Sequence, residues 1–245
     1  VAMRFAWNQE ATPNLMNGKG LPAGAFRAAV APKQDWLTSQ VPEAKDYELV
    51  YELDLTRLGA SISYNTDKHQ EIRKPFDRIA YALELEDQNL RTSHLFVSMD
   101  AFTDDASKIA VPTVSSGAVF QQNVSNLNVY SDVKGIVTGR NLKGGNIEFW
   151  PNDYKQVNPA NVPKASTERY DFGDQRLESP DGYGAMQVHN HEASQTLFAI
   201  NHWREGRNAD VGIGNQATGE PDWTFAKNAG SYRNMRLKVF VRTRR

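Results

Sequence analysis

Three of the chain's five histidines crowd into Gly182-Tyr-Gly-Ala-Met-Gln-Val-His-Asn-His-Glu192 and the nearby Phe198-Ala-Ile-Asn-His-Trp203. Side chains repeat every two residues along a strand, so a strand here puts His189 and His191 on one face and Asn190 on the other. A strand pair turning around Ala193-Ser-Gln195 would bring His202 to them. Two or three imidazoles on one face suit zinc or another transition metal. They equally suit acid–base chemistry in a sandwich hydrolase or lyase. The letters His-Asn-His also match a nuclease motif, but that nuclease needs a ββα metal fold, and this triplet lies between two strand-like runs. The plainer reading is of histidines at a strand end, hydrogen-bonded to their neighbours, and it requires no cofactor.

A second constellation is Gly144-Gly-Asn-Ile-Glu-Phe-Trp-Pro-Asn-Asp-Tyr154, where Trp150 and Tyr154 bracket Asn152 and Asp153. This is the composition of a sugar site. Pyranose rings have apolar faces that stack on aromatic rings, while amide, carboxylate and guanidinium groups read the hydroxyl rims. Trp203 and Arg204 extend the set. The expected site therefore stacks a polysaccharide or glycan ligand on Trp150 or Tyr154 and on Trp203. Asn152, Asn190, His191 and Arg204 supply directional hydrogen bonds. The competing reading places Trp150 and Trp223 in a sandwich core. The acid clusters at Asp100, Asp104 and Asp105, and at Asp171 and Asp174, are oxygen-rich in the manner of structural calcium loops, though neither matches an EF-hand. Solvated turn acids are the alternative. No Gly-x-Ser-x-Gly elbow and no phosphate cradle occurs.

Composition narrows the setting. Lys and Arg total 28 and Asp and Glu 29, giving a net charge of −1. A general nucleic-acid binder needs a clustered positive surface, so that class is excluded as an expectation. There is no cysteine, which removes disulfides, thiolate metal sites and cysteine nucleophiles. No apolar run reaches about eighteen residues, so no membrane-spanning helix is expected. Val1-Ala-Met-Arg-Phe-Ala-Trp7 is too short and too regularly alternating for a signal peptide. A start on valine inside a strand-like run is expected of a fragment or a processed product.

The elements that must position these residues read as strands. Val1–Trp7 alternates with period two. Further strand-like runs are Tyr47–Leu55, Phe76–Leu85, His94–Met99, Ala118–Gln121, Leu127–Tyr130, Asn146–Trp150, Gly184–His189, Thr196–Ile200, Ala209–Ile213 and Met235–Val241. Gly, Asn, Asp and Pro clusters separate them. Many short strands without long helical periodicity predict an all-β chain, an antiparallel β-sandwich or jelly roll. The stretch Asn14–Phe26 reads as loop, and Ala28–Lys45 as linker. Pro151–Pro180 has almost no apolar periodicity, and loops of that length are often functional. The division expected is residues 1–45 as leading segment and linker, and 46–245 as the sandwich.

The leading segment carries a resemblance. Val1-Ala-Met-Arg-Phe-Ala-Trp7 followed by Asn14-Leu-Met-Asn-Gly-Lys-Gly-Leu-Pro-Ala-Gly-Ala-Phe-Arg27 resembles the closing segment of bacterial sialate O-acetylesterases, with Gly24 and Ala25 where that family commonly has Ser-Pro. Phe76-Asp-Arg-Ile-Ala-Tyr81, Val97-Ser-Met-Asp-Ala-Phe-Thr-Asp-Asp105, Gly145-Asn-Ile-Glu-Phe-Trp-Pro-Asn152, Met186-Gln-Val-His-Asn-His191 and Pro221-Asp-Trp-Thr-Phe225 resemble a module that trails such esterases in environmental bacteria. The family's catalytic serine turn and its Asp-x-x-His motif do not occur, and Asp67-Lys-His69 has the wrong spacing. The resemblance thus implies an accessory module without the chemistry, outside the cytoplasm (extracellular or periplasmic), with a catalytic esterase domain as partner; the structural alternative is a domain that packs on that esterase or mediates oligomers, its aromatics being core and interface.

Overall fold

The computed structural model describes residues 2–5, 26–29, 35–57, 62–111, 120–150, 185–201, 210–215 and 228–244. The expected antiparallel β-sandwich is what these residues form. Strands β3 (Glu48–Asp54), β4 (Thr66–Asp67), β5 (Phe76–Asp87), β6 (Thr92–Asp100), β8 (Leu127–Ser131), β9 (Gly139–Leu142) and β14 (Tyr232–Thr243) make a seven-stranded sheet in the order β4-β3-β14-β5-β6-β8-β9. Strands β7 (Phe120–Val124), β10 (Gly145–Trp150), β11 (Ala185–Asn190), β12 (Gln195–Asn201) and β13 (Asp210–Ile213) make a five-stranded sheet, β13-β12-β11-β10-β7. A separate pair joins β1 (Ala2–Phe5) to β2 (Phe26–Ala29). Among the described residues no helix is long and apolar enough to cross a membrane.

Period-two alternation builds the core. Ile79, Tyr81, Leu83 and Leu85 of β5, Leu95, Val97 and Met99 of β6, and Leu237, Val239 and Val241 of β14 point inward. They meet Ile147, Phe149, Met186, Val188, Phe198 and Ile200 from the other sheet in one apolar cluster. The Tyr81 and Phe198 rings lie 5.7 Å apart across it. Burying each such side chain stabilises the fold by about 1.5–3 kcal/mol. The buried phenols keep their hydroxyls bonded. Tyr51 donates to the Ala106 carbonyl, Tyr81 to that of Ile109 and Tyr64 to that of Val111, at 3.1, 3.0 and 3.2 Å. Three rungs thus tie one stretch of chain across the end of the core.

The linker expectation is corrected over part of its length. From Asp35 the chain forms a short helix, α1 (Trp36–Gln40), and a 3₁₀ turn at Ala44–Asp46, both laid on the outer face of the seven-stranded sheet. Asp35 caps α1 by accepting from the Leu37 N–H. Val41 is buried against Ala80, Phe96 and Phe240, with Trp36, Leu37, Ala44 and Tyr47 packed around them. Apolar residues here cover apolar residues on the sheet, and that decides the conformation. Polar groups pin the same segment. The buried Arg78 donates to Tyr47 Oη, Asp100 Oδ1, Ser98 Oγ and the Asn126 carbonyl. Ser98 Oγ and Asn128 Nδ2 in turn donate to the two oxygens of Glu43, at 2.8 and 2.7 Å. The Trp36 ring stacks on His94 with centroids 4.8 Å apart, and His94 Nδ1 meets Asp132 Oδ2 at 2.6 Å.

Candidate functional site

The other sheet has an outer face of a different kind. In β10, Ile147 and Phe149 point into the core, so Asn146 and Glu148 point away from it. In β11, Met186 and Val188 point inward, and Gln187 and His189 outward. The register sets Asn146 opposite His189 and Glu148 opposite Gln187. Four polar side chains therefore share one patch of sheet, and all four are fully buried. An outward strand face is ordinarily solvated. Here the strands carry amide, carboxylate and imidazole groups into a place without water access.

Their hydrogen bonds form a chain. His191 Nε2 donates to Asn146 Oδ1 at 2.6 Å. Asn146 Nδ2 donates to Glu148 Oε1 at 2.5 Å, and Gln187 Nε2 donates to Glu148 Oε2 at 3.2 Å. Because the Gln187 nitrogen faces a carboxylate, its carbonyl oxygen Oε1 is fixed as the free end. Among the described residues Gln187 Oε1 has no hydrogen-bond partner, nor has Asn190 Nδ2. A buried polar atom left unmade costs about 1–3 kcal/mol. The Arg78–Glu43 network, by contrast, leaves no buried side-chain nitrogen or oxygen unbonded among the described residues. The latter is built to hold the protein together. The former has an open acceptor.

The register also locates the residues the sequence singled out. The hairpin expected around Ala193-Ser-Gln195 forms, with its turn over residues 191–194 between β11 and β12. A bulge in β12 at Leu197 shifts the pairing from Val188↔Phe198 to His189↔Thr196. Asn190 is buried and its Oδ1 accepts from the Glu192 and Ala193 N–H groups, so that oxygen shapes the turn. His191 is half-buried at the turn, against Asn146. Trp150 ends β10 opposite Ala185, and Asn201 ends β12 opposite the same Ala185. The candidates Asn152 and Tyr154, and Trp203 and Arg204, come shortly after these two strand ends in the sequence. Those four residues, with His202 and Trp223, lie outside the described residues. Asn190 and His191 stand at the end of β11 opposite to Ala185. At about 3.3 Å per residue the two ends of β11 are roughly 17 Å apart. Asn146, Glu148, Gln187 and His189 occupy the sheet between them.

The acid clusters have local uses. Asp100 accepts from Arg78, Ser125 and Asn126. Asp105 accepts from the Ser107 N–H and hydroxyl, which hold its carboxyl below the usual range. Among the described residues no three His, Asp or Glu side chains are placed to hold a metal ion. Asp171 and Asp174 lie outside the described residues.

Sequence reasoning flagged His189 and His191 and missed Asn146, Glu148 and Gln187. The signal was available: Asn146-x-Glu148 and Gln187-x-His189 are polar at alternate positions in adjoining strands. No protein-family model, curated protein or solved structure matches this chain.

Proposed function

We propose that the chain is a noncatalytic carbohydrate-binding β-sandwich that accompanies an esterase acting on acetylated glycans outside the cytoplasm. The observation that carries the binding reading is the outer face of the five-stranded sheet. It holds a row of buried amide, carboxylate and imidazole groups with an open acceptor at Gln187 Oε1. Sugars present closely spaced hydroxyls that both donate and accept, and such a row answers them. The row runs along β10 and β11 to His191, which supports a ligand extended along these strands. Trp150, Tyr154 and Trp203 would stack on its rings, and His191 would bond its rim. The esterase association rests on the resemblance of residues 1–27.

The test is titration of the chain with a glycan found on an array, repeated with Gln187→Ala, Tyr154→Ala and Trp203→Ala. Loss of one charge-adjacent hydrogen bond or one stacking platform lowers affinity about tenfold. Unchanged affinity in all three variants refutes the site. A second reading, a hydrolase or lyase, draws on Glu148 lying one residue pair from His189, since a carboxylate and an imidazole side by side are the parts of acid–base catalysis. New reducing ends or unsaturated sugars appearing on incubation with the bound glycan, and lost in Glu148→Gln, would establish it.

A further inference from the structure

We infer that the seven-stranded sheet carries a second binding site, beside the segment 35–47, for a small molecule with an apolar body and one anionic head group. It is independent of the carbohydrate-binding reading, which concerns the other sheet. The segment does not cover the sheet completely. Between it and strands β3 and β14 lies an open cavity of about 310 Å³, at the lower end of the range for small-molecule sites. Leu37 and Val41 line it from the segment, and Leu49 and Phe240 from the sheet. All four belong to the apolar cluster that docks the segment. Packing therefore fixes the lining before any ligand arrives, which spares the ligand the cost of ordering it.

Two ammonium groups border this lining, those of Lys45 and Lys238. Strand β14 shows why Lys238 matters. It carries four cations, Arg233, Arg236, Lys238 and Arg242. Arg233 meets Glu86 at 2.9 Å, Arg236 meets Glu52 at 3.4 Å and Arg242 meets Asp77 at 2.9 Å. Glu52 stands opposite Lys238 in the register, but its carboxylate faces Arg236. Among the described residues Lys238 alone of the four makes no ion pair. Its side chain is half-buried, so the charge is held at the cavity. Lys45 is exposed on the 3₁₀ turn and is likewise without an ion pair among the described residues. The one carboxylate on the wall is Asp35, whose Oδ1 accepts from the Leu37 N–H as the cap of α1. Such a site fits an apolar acid. The body of the ligand leaves water against Leu37, Val41, Leu49 and Phe240, and its head supplies the partner that Lys238 lacks. A neutral ligand gains only the first of these, and an amine meets like charge. A half-buried ammonium paired with an anion raises affinity about tenfold.

The experiment titrates the isotope-labelled full chain with hexanoate, hexyl phosphate, hexan-1-ol and hexylamine, and follows the methyl resonances of Leu37, Val41 and Leu49. Saturable shifts of these methyls with both acids, at affinities about tenfold above that of hexan-1-ol, are the expected result, with hexylamine the weakest of the four. The tighter of the two acids identifies the head group. Lys238→Met, checked for folding by urea denaturation, should weaken the acids about tenfold and leave hexan-1-ol unchanged. Lys45→Met, on the exposed turn, should act in the same direction and serves if Lys238→Met does not fold. Hexan-1-ol bound as tightly as the acids, acid affinity unchanged in the folded variants, or no saturable shift with any of the four would overturn the inference. Each of these results leaves the glycan reading of the other sheet where it stands.

Discussion

The three tyrosine rungs make the protein sensitive to alkali in a calculable way. Burial pushes the Tyr51, Tyr64 and Tyr81 phenols up. For Tyr51 the charges of Asp67 and Asp105 add to burial; for Tyr64 and Tyr81 neighbouring phenols do. The unfolded phenols ionise near pH 10. Above that pH the unfolded chain releases protons that the folded chain keeps, so stability falls as pH rises, and goes on falling until the folded phenols ionise. At pH 11 each phenol held neutral costs about 1.4 kcal/mol relative to neutral pH, and the three together about 4 kcal/mol. A domain's whole stability is about 5–15 kcal/mol. Urea midpoints measured from about pH 8 to 11 should be level at first and then drop steeply. Burial raises Tyr47, Tyr130 and Tyr232 as well, so Tyr81→Phe should remove about 1.4 kcal/mol of a larger drop at pH 11, while costing about 1 kcal/mol at neutral pH by leaving the Ile109 carbonyl without its donor. Phenolate absorbance in the folded protein should fall short of the nine tyrosines at pH 11. Level stability from pH 9 to 11, or full ionisation of a protein that stays folded, would refute the reasoning.

Other perturbations have equally definite outcomes. Arg78→Met removes four hydrogen bonds from a buried guanidinium and should cost about 3–5 kcal/mol in urea denaturation. It should also speed hydrogen exchange over residues 37–47. Leu90 sits exposed at the β5–β6 turn with φ +66°, a conformation costing a branched residue about 1–2 kcal/mol. Leu90→Asn should therefore stabilise the protein by about 0.5–1 kcal/mol, read as a raised thermal midpoint. A Cβ on Gly145 would press into the His189 carbonyl and against Leu127. Gly145→Ala should cost more than about 2 kcal/mol and weaken glycan binding by separating β10 from β11.

The strands were legible because burial on one face imposes alternation. Phe76–Leu85 and Met235–Val241 announce themselves in this way; the sheet extends the first at its C-terminal end, to Asp87, and the second at both ends, to Tyr232 and Thr243. What was not legible was short or lay against something distant. Thr66–Asp67 is too brief for a period, and Gly139–Leu142 is an edge strand with no buried residue. Helix α1 has five residues, and its apolar positions become a pattern only when Phe96 and Phe240 are known to lie beneath them. The site failed to stand out for a related reason. Asn146, Glu148 and Gln187 look like the solvated half of an ordinary strand, and only the folded chain reveals that they are enclosed.

Strand β14 lies between β3 and β5 at the middle of the larger sheet, and it is the last described strand in the sequence. Its pairs reach back from Leu237 to Leu53 and from Val239 to Tyr81. During synthesis, then, β3 and β5 emerge early and wait for the strand that joins them. Their facing edges remain open to other partners throughout that interval. Closure requires a loop of most of the chain, which sets a slow folding step. A ribosome stalled before Tyr232 would hold a sheet in two halves, and the chaperones that greet such a chain would find their purchase along β3 and β5.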